Sequence, residues 1–275
     1  MSIKLIGIDI DGTLLNSRKE LTQATIDALQ AAADHGIQVV ISTGRLLSEY
    51  VDLVAQLPMM RYNVTCTGTQ VLDLQTGEDI FRCAMTADEL RYLCGKLRGL
   101  DCFLQIFSDV DGKIHNDVRH MAQAERFCGE GLARMVRNHH VAEPDIYEYI
   151  EGYTGVTNKI HIFFADPAVK AEAIRRMEGE PYAVMESAPN DLELMPLGID
   201  KAVGLRKLAD HLGLDRSEIM TFGDGGNDVA MLAYAGIGVA MQNASADAKA
   251  AADHVLPWTN DEDGVAKAVW ALLKE

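Results

Sequence analysis

Basic charge is scarce in this chain. Its 275 residues include 25 lysines and arginines against 41 aspartates and glutamates, a formal net charge of −16. Binding a phosphodiester backbone needs basic patches, so a nucleic-acid partner is set aside. A soluble protein that handles small ligands or cations fits the balance. Paired cysteines are lacking too. Cys66, Cys83, Cys94, Cys102 and Cys128 are odd in number and contain no CxxC spacing, and read as reduced thiols of a cytoplasmic protein. No apolar stretch approaches the roughly 18 residues that span a membrane. The first apolar run is broken by Asp9 and is too short for a signal peptide. Low-complexity tracts and solenoid-period repeats are also absent. The 48% of apolar residues supplies a core for two ordinary domains or one large one.

The most informative segment is the first thirteen residues. Residues 3–8 (IKLIGI) are mostly apolar and are followed by Asp9-Ile10-Asp11-Gly12-Thr13. Such a run reads as a strand buried on both faces. Residues two apart in an extended chain point the same way, so Asp9 and Asp11 share one side at the carboxyl end of that strand. Ligands bind at that edge in open α/β sheets. Two carboxylates about 4 Å apart repel by roughly 4 kcal/mol at intermediate dielectric. A proton, a cation or both must offset this.

The rest of the chain reads as one α/β core built from both ends. A helix over about 23–35, with Thr22 as N-cap and Gly36 as its stop, leads to a strand at 37–42 and a Thr43-Gly44-Arg45 turn. A helix ending near Leu57 and the strand YNVTC follow. Strand, helix, strand, helix implies a parallel sheet. Hairpins mixed with helices then suggest an antiparallel α+β insert at 84–196, leaving 1–83 and 197–275 as the core. After Pro196 the α/β rhythm resumes with a helix from Lys201 to Leu212, capped by Asp200, and a strand ending at Gly223-Asp224.

A DxDG string is weak evidence by itself. This chain has two, at 9–12 and at 109–112, and the second reads as a hairpin turn. The first stands out through its company. Thr43 offers a hydroxyl at a strand end, Lys201 a point charge at a helix start, and Asp224 a hard oxygen ligand suited to Mg²⁺. Gly225-Gly226-Asn227-Asp228 opens the next helix.

DIDGTLL, STGR, the Lys201 region and GDGGNDVAM, in this order and spacing, resemble the haloacid dehalogenase-like (HAD) superfamily of phosphotransferases. The insert, SAPNDLELMPLGIDKAVGL and TNDEDGVAKAV resemble its Cof-type subfamily, home of YidA-like sugar-phosphate phosphatases. The resemblance implies a Rossmann-like core with a central parallel sheet and an inserted α+β cap of the C2 type that selects the substrate. It implies Asp9 as nucleophile and Asp11 as general acid and base. Mg²⁺ would sit on Asp9, Asp224 and the Asp11 backbone carbonyl, with Asp228 supporting from behind. The Ile10 N–H, Thr43, the Gly44 N–H, Lys201 and Asn227 would hold the phosphoryl oxygens of a small phosphomonoester. Asp11 must carry a proton in the first step, so its pKa is expected to rise beside Asp9 and bound phosphate.

Thr67-Gly68-Thr69 stands where relatives commonly carry Asn-Gly-Ala, a departure that bears on leaving-group recognition. Ala202 replaces a common glycine and should be neutral in a helix. His139-His140 reads as a solvated pair after a helix, and the 12 methionines as scattered filling. Two other functions stay open on these residues: a phosphohexomutase-like transfer between sugar hydroxyls, and a non-catalytic sensor of phosphorylated ligands.

Overall fold

The N-terminal apolar run becomes β1 (Leu5–Ile8), buried along its whole length. The computed structural model describes residues 2–274. The chain divides into two units. The first comprises the residues up to Arg45, Tyr50–Arg82, and those from Ile199 onward. The second comprises Cys83–Gly198 and, in addition, Leu46–Glu49. The expected insert at 84–196 carried no hint of that short extra piece.

In chain order the first unit builds β1, β2 (Gln38–Ser42), β3 (Tyr62–Thr65), β4 (Gln70–Asp73) and β5 (Asp79–Arg82). The second unit follows with β6 (Met85–Thr86), β7 (Cys102–Ser108), β8 (Ile114–Asp117), β9 (Val141–Glu143), β10 (Val156–Phe164), β11 (Tyr182–Met185) and β12 (Asp191–Pro196). The chain then returns to the first unit for β13 (Ile219–Gly223), β14 (Ile237–Ala240) and β15 (His254–Val255). The first sheet has the order β15-β14-β13-β1-β2-β3-β4-β5. It is parallel from β15 to β3, and β4 and β5 add an antiparallel edge. The central strand β1 pairs Ile8 with Ile41 on one side and Phe222 on the other. The residues after β1, β2 and β13 therefore emerge side by side at one edge of the sheet.

The helix Lys201–Leu212 shows how local sequence serves this edge. The Asp200 side chain accepts the Val203 N–H at 2.9 Å, and Gly213 ends the helix in the left-handed region at φ 67°. Its Leu205, Leu208 and Ala209 pack with Leu5, Val40, Val64 and Val71 of the sheet. Each buried leucine contributes roughly 1.5–3 kcal/mol. With that face fixed, the first residue of the helix, Lys201, is delivered fully buried to the strand ends.

The second unit's strands lie in the order β11-β12-β10-β7-β8-β9, with β6 against β10. All pairs are antiparallel except β8 with β9. Helices 87–97, 146–152 and 167–177 contribute to the core against Leu104, Ile106, Ile160, Ile162, Leu192 and Leu194. The second DxDG is the turn between β7 and β8, with Gly112 at φ 64°.

One local expectation fails. The single helix to Leu57 is a 3₁₀ turn at Leu47–Glu49 and one helical turn at Val51–Val54. In the second unit, Val118–Ala122 and Ala124–His139 are separate helices, and the latter is interrupted at Gly129, whose φ is 75°. Among the described residues no helix is long and apolar enough to cross a membrane.

Candidate active site

Asp9 leaves β1 with its N–H on the Phe222 carbonyl at 3.0 Å, and its side chain is buried. Asp9 Oδ1 lies 2.5 Å from Lys201 Nζ, and the same ammonium reaches Asp228 Oδ1 at 2.6 Å. The other Asp228 oxygen accepts the Asp224 and Gly225 N–H groups, both at 2.9 Å. Asp228 thus spends both oxygens on Lys201 and the 224–225 turn. Asp224 in turn accepts the Thr13 hydroxyl at 2.8 Å. Carboxylate oxygens of Asp9, Asp224 and Asp228 all lie within 4.8 Å of one another.

One lysine cannot offset this cluster. Burial works against the Lys201 charge, but Asp228 and Asp9 outweigh it and raise the lysine's pKa. The surplus negative charge appears on the acids. Burial, then Asp228, push Asp9 up to about 8 against the pull of Lys201. Burial lifts Asp224 to about 6, with the Thr13 hydroxyl opposing. Burial leads both shifts and neighbouring carboxylates add to them, so further positive charge in the site would favour the ionised acids.

Asp11 differs from its expectation. Burial raises its pKa, but Arg45 and then Lys19 outweigh burial and hold the carboxyl below its ordinary value. Arg45 grips it with Nε at 2.8 Å and Nη2 at 2.7 Å, and Lys19 Nζ adds a contact at 2.7 Å. The expected rise counted the anionic neighbours and missed these two cations. Lys19 comes from a loop position with φ 62°, which the sequence does not announce. Arg45 stands in the STGR string, and its opposite charge was the available signal.

Polar groups suited to phosphoryl oxygens surround the acids. Among the described residues the Ile10 and Gly44 N–H groups have no protein acceptor, and the Asp11 carbonyl accepts no hydrogen bond. Thr43 is buried; its Oγ1 accepts the Arg45 N–H at 3.2 Å, which leaves its hydroxyl proton to donate. Asn227 lies half-buried in the 3₁₀ turn Gly226–Asp228, next to Asp228.

Two glycines are required at this edge. Gly12 has φ 83°, and a Cβ there would lie 2.3 Å from Asp224 Oδ2. Gly68 has φ 91°, and a Cβ there would lie 1.9 Å from the carbonyl oxygen of Asp200, the cap of the Lys201 helix. The Thr67-Gly68-Thr69 segment therefore fixes where Lys201 begins, a role that sequence reasoning missed. Gly68→Ala should cost at least about 2 kcal/mol in urea unfolding. It should also lower turnover more than about tenfold by displacing Lys201.

Comparison with known proteins decides the family. Residues 6–269 match the haloacid dehalogenase-like hydrolases. The chain belongs to this family. It is a HAD-type phosphatase of the Cof branch, a hydrolase of phosphoric monoesters. The chain is 30% identical, over 99% of its length and 97% of the relative's, to the Bacillus subtilis 5-amino-6-(5-phospho-D-ribitylamino)uracil phosphatase YcsE. A solved haloacid dehalogenase-like hydrolase from Bacteroides thetaiotaomicron superposes with a TM-score of 0.83 at 30% identity, covering 98% of this chain and 100% of that one. A solved sugar phosphatase of HAD subclass IIB gives a TM-score of 0.75 at 27% identity, with 98% of each chain covered.

Proposed function

We propose that this HAD phosphatase hydrolyses small phosphomonoesters, sugar phosphates foremost, through an aspartyl phosphate on Asp9. The observation that carries the reading is the placement of Asp9. Its carboxylate touches Lys201, and the next residue offers an Ile10 N–H that has no protein acceptor among the described residues. The activities for which the ribitylaminouracil phosphatase and the sugar phosphatase are named support the substrate class.

The donor set fits Mg²⁺. Hard carboxylate oxygens converge, burial pushes two of the acids upward with neighbouring carboxylates adding to it, and among the described residues the Asp11 carbonyl accepts no hydrogen bond. Asp9, Asp224 and the Asp11 carbonyl would hold the ion, because both Asp228 oxygens are already engaged. When bound, Mg²⁺ supplies charge that offsets repulsion between the Asp9 carboxylate and a phosphate dianion.

The protein's own groups account for the remaining steps. Lys201 orients Asp9 and pulls against the burial that disfavours its ionised form. The Thr43 hydroxyl, the Gly44 and Ile10 N–H groups and the Asn227 amide donate to the phosphoryl oxygens. Asp9 attacks phosphorus, and the leaving oxygen takes a proton from Asp11. Asp11 then draws a proton from the water that cleaves the acyl phosphate. A phosphate dianion competes for Arg45 and Lys19, and losing these cations lets Asp11 hold that proton. The second unit, in this reading, is the cap that recognises the leaving group.

The test is a panel of phosphomonoesters read by released phosphate, with Mg²⁺ and with excess EDTA. Sugar phosphates should be turned over with Mg²⁺, and EDTA should reduce the rate at least about 10²-fold. Release that ignores EDTA overturns the metal assignment. Isomerised sugar phosphate without free phosphate favours a mutase, and binding with no reaction favours a sensor.

A further inference from the structure

We propose that Glu49 and His140 are positioning residues that fix the Leu46 amide, which directly follows the Thr43–Arg45 loop in the chain. The inference rests on the phosphatase reading, in which that loop holds the phosphoryl group.

The chain leaves the first unit after Arg45 and returns at Tyr50, so Leu46–Glu49 is a four-residue excursion into the second. Its 3₁₀ turn is too short for a core of its own. Glu49 nevertheless turns inward, with only 5% of its side chain exposed. A buried carboxylate is costly unless hydrogen-bonded. Glu49 Oε2 accepts the Leu46 N–H at 2.9 Å, and Oε1 lies 3.3 Å from His140 Nε2.

His140 follows the helix Ala124–His139, and its side chain is 1% exposed. It is not the solvated residue expected of a His-His pair in a polar stretch. Its Nδ1 lies 3.2 Å from Asn116 Nδ2 on β8. Asn116 Nδ2 also donates to the Ile114 carbonyl at 3.3 Å, which fixes the amide's orientation. Nδ1 must then accept, so Nε2 carries the ring proton and donates to Glu49. A continuous relay runs from β8 through Asn116, His140 and Glu49 to the Leu46 N–H.

That relay completes the anchoring of the phosphoryl loop. Within the first unit the Thr43 N–H binds the Val64 carbonyl at 2.9 Å, and the Thr43 carbonyl takes the Thr67 N–H at 2.9 Å. The Arg45 carbonyl takes the Cys66 N–H at 3.0 Å. The next amide, Leu46, donates to Glu49, one residue past the arginine that grips Asp11. Gly44 lies between these anchors with its N–H left for a substrate oxygen. A misplacement of about 1 Å in such a loop costs up to roughly 10²-fold in rate.

The test compares wild type, His140→Ala and His140→Gln by kcat and KM on an ester the wild type hydrolyses, and by amide hydrogen exchange over residues 43–50. His140→Ala should lower kcat about tenfold, with KM changed less than about threefold, and should speed exchange in that segment. His140→Gln keeps an N–H donor and should restore both readouts to within about threefold. If His140→Ala does not fold, Glu49→Gln replaces it, with faster exchange over 43–50 and lower kcat expected. Unchanged exchange overturns the proposal. So does a lowered melting temperature with kcat intact, which shows that the pair only stabilises. Exchange needs no turnover, so a wild type that hydrolyses nothing refutes the phosphatase reading and leaves the relay to be decided by exchange.

Discussion

Asp9→Asn gives a folded protein whose phosphate release falls at least about 10³-fold, because the amide cannot act as the nucleophile. Two features separate this result from a folding defect. The substitution keeps the shape of a side chain that is buried against Lys201, and Lys201 keeps its second carboxylate, Asp228. Burial and Asp228 hold the Asp9 pKa at about 8. A carboxyl with a raised folded-state pKa opposes folding when forced to ionise, increasingly so as pH climbs from its unfolded value through the folded one. Replacing it with a neutral amide removes that penalty. In metal-free buffer the variant's melting temperature should equal or exceed that of wild type, most clearly above pH 8. A variant that melts early, or one that still turns over, contradicts the assignment.

Lys201→Met should damage both stability and catalysis. Lys201 is fully buried and bridges Asp9 and Asp228. Removing one partner from a buried ion pair leaves uncompensated charge and costs about 3–5 kcal/mol. The harm spreads along the turn, because Asp228 also holds the Asp224 and Gly225 amides. Phosphate release should fall about 10³-fold through lost electrostatic stabilisation. Arginine should not rescue it, since a planar guanidinium does not fit where a compact ammonium meets two carboxylates. Urea unfolding and phosphate release on the same preparation check both effects. Asp228→Asn should show a milder form of the same pattern, with Asp9 keeping the lysine.

The residues legible in the sequence are those that local pattern places at strand ends. Asp9, Thr43 and Asp224 each follow a buried parallel strand, and β1 lies between β2 and β13. Lys201 was legible because Asp200 caps its helix and the leucine spacing fixes which face packs. What escaped is tertiary. The grip of Arg45 and Lys19 on Asp11 depends on a loop turning back through a left-handed residue. The approach of Gly68 to Asp200 joins residues far apart in the chain, and so does the contact of Glu49 with His140. The helix expected up to Leu57 failed for a related reason. Glu49 turns inward onto the Leu46 amide instead of continuing on a solvated helical face.

The most direct measurement is an acid quench during turnover of a phosphorus-labelled sugar phosphate with Mg²⁺, followed by peptide mapping. Label should appear on the peptide that contains Asp9, at a level that rises and decays with turnover, and should be absent from Asp9→Asn. Steady release of phosphate by wild type with no label on the protein at any quench time, or label on a peptide without Asp9, contradicts covalent catalysis by this carboxylate.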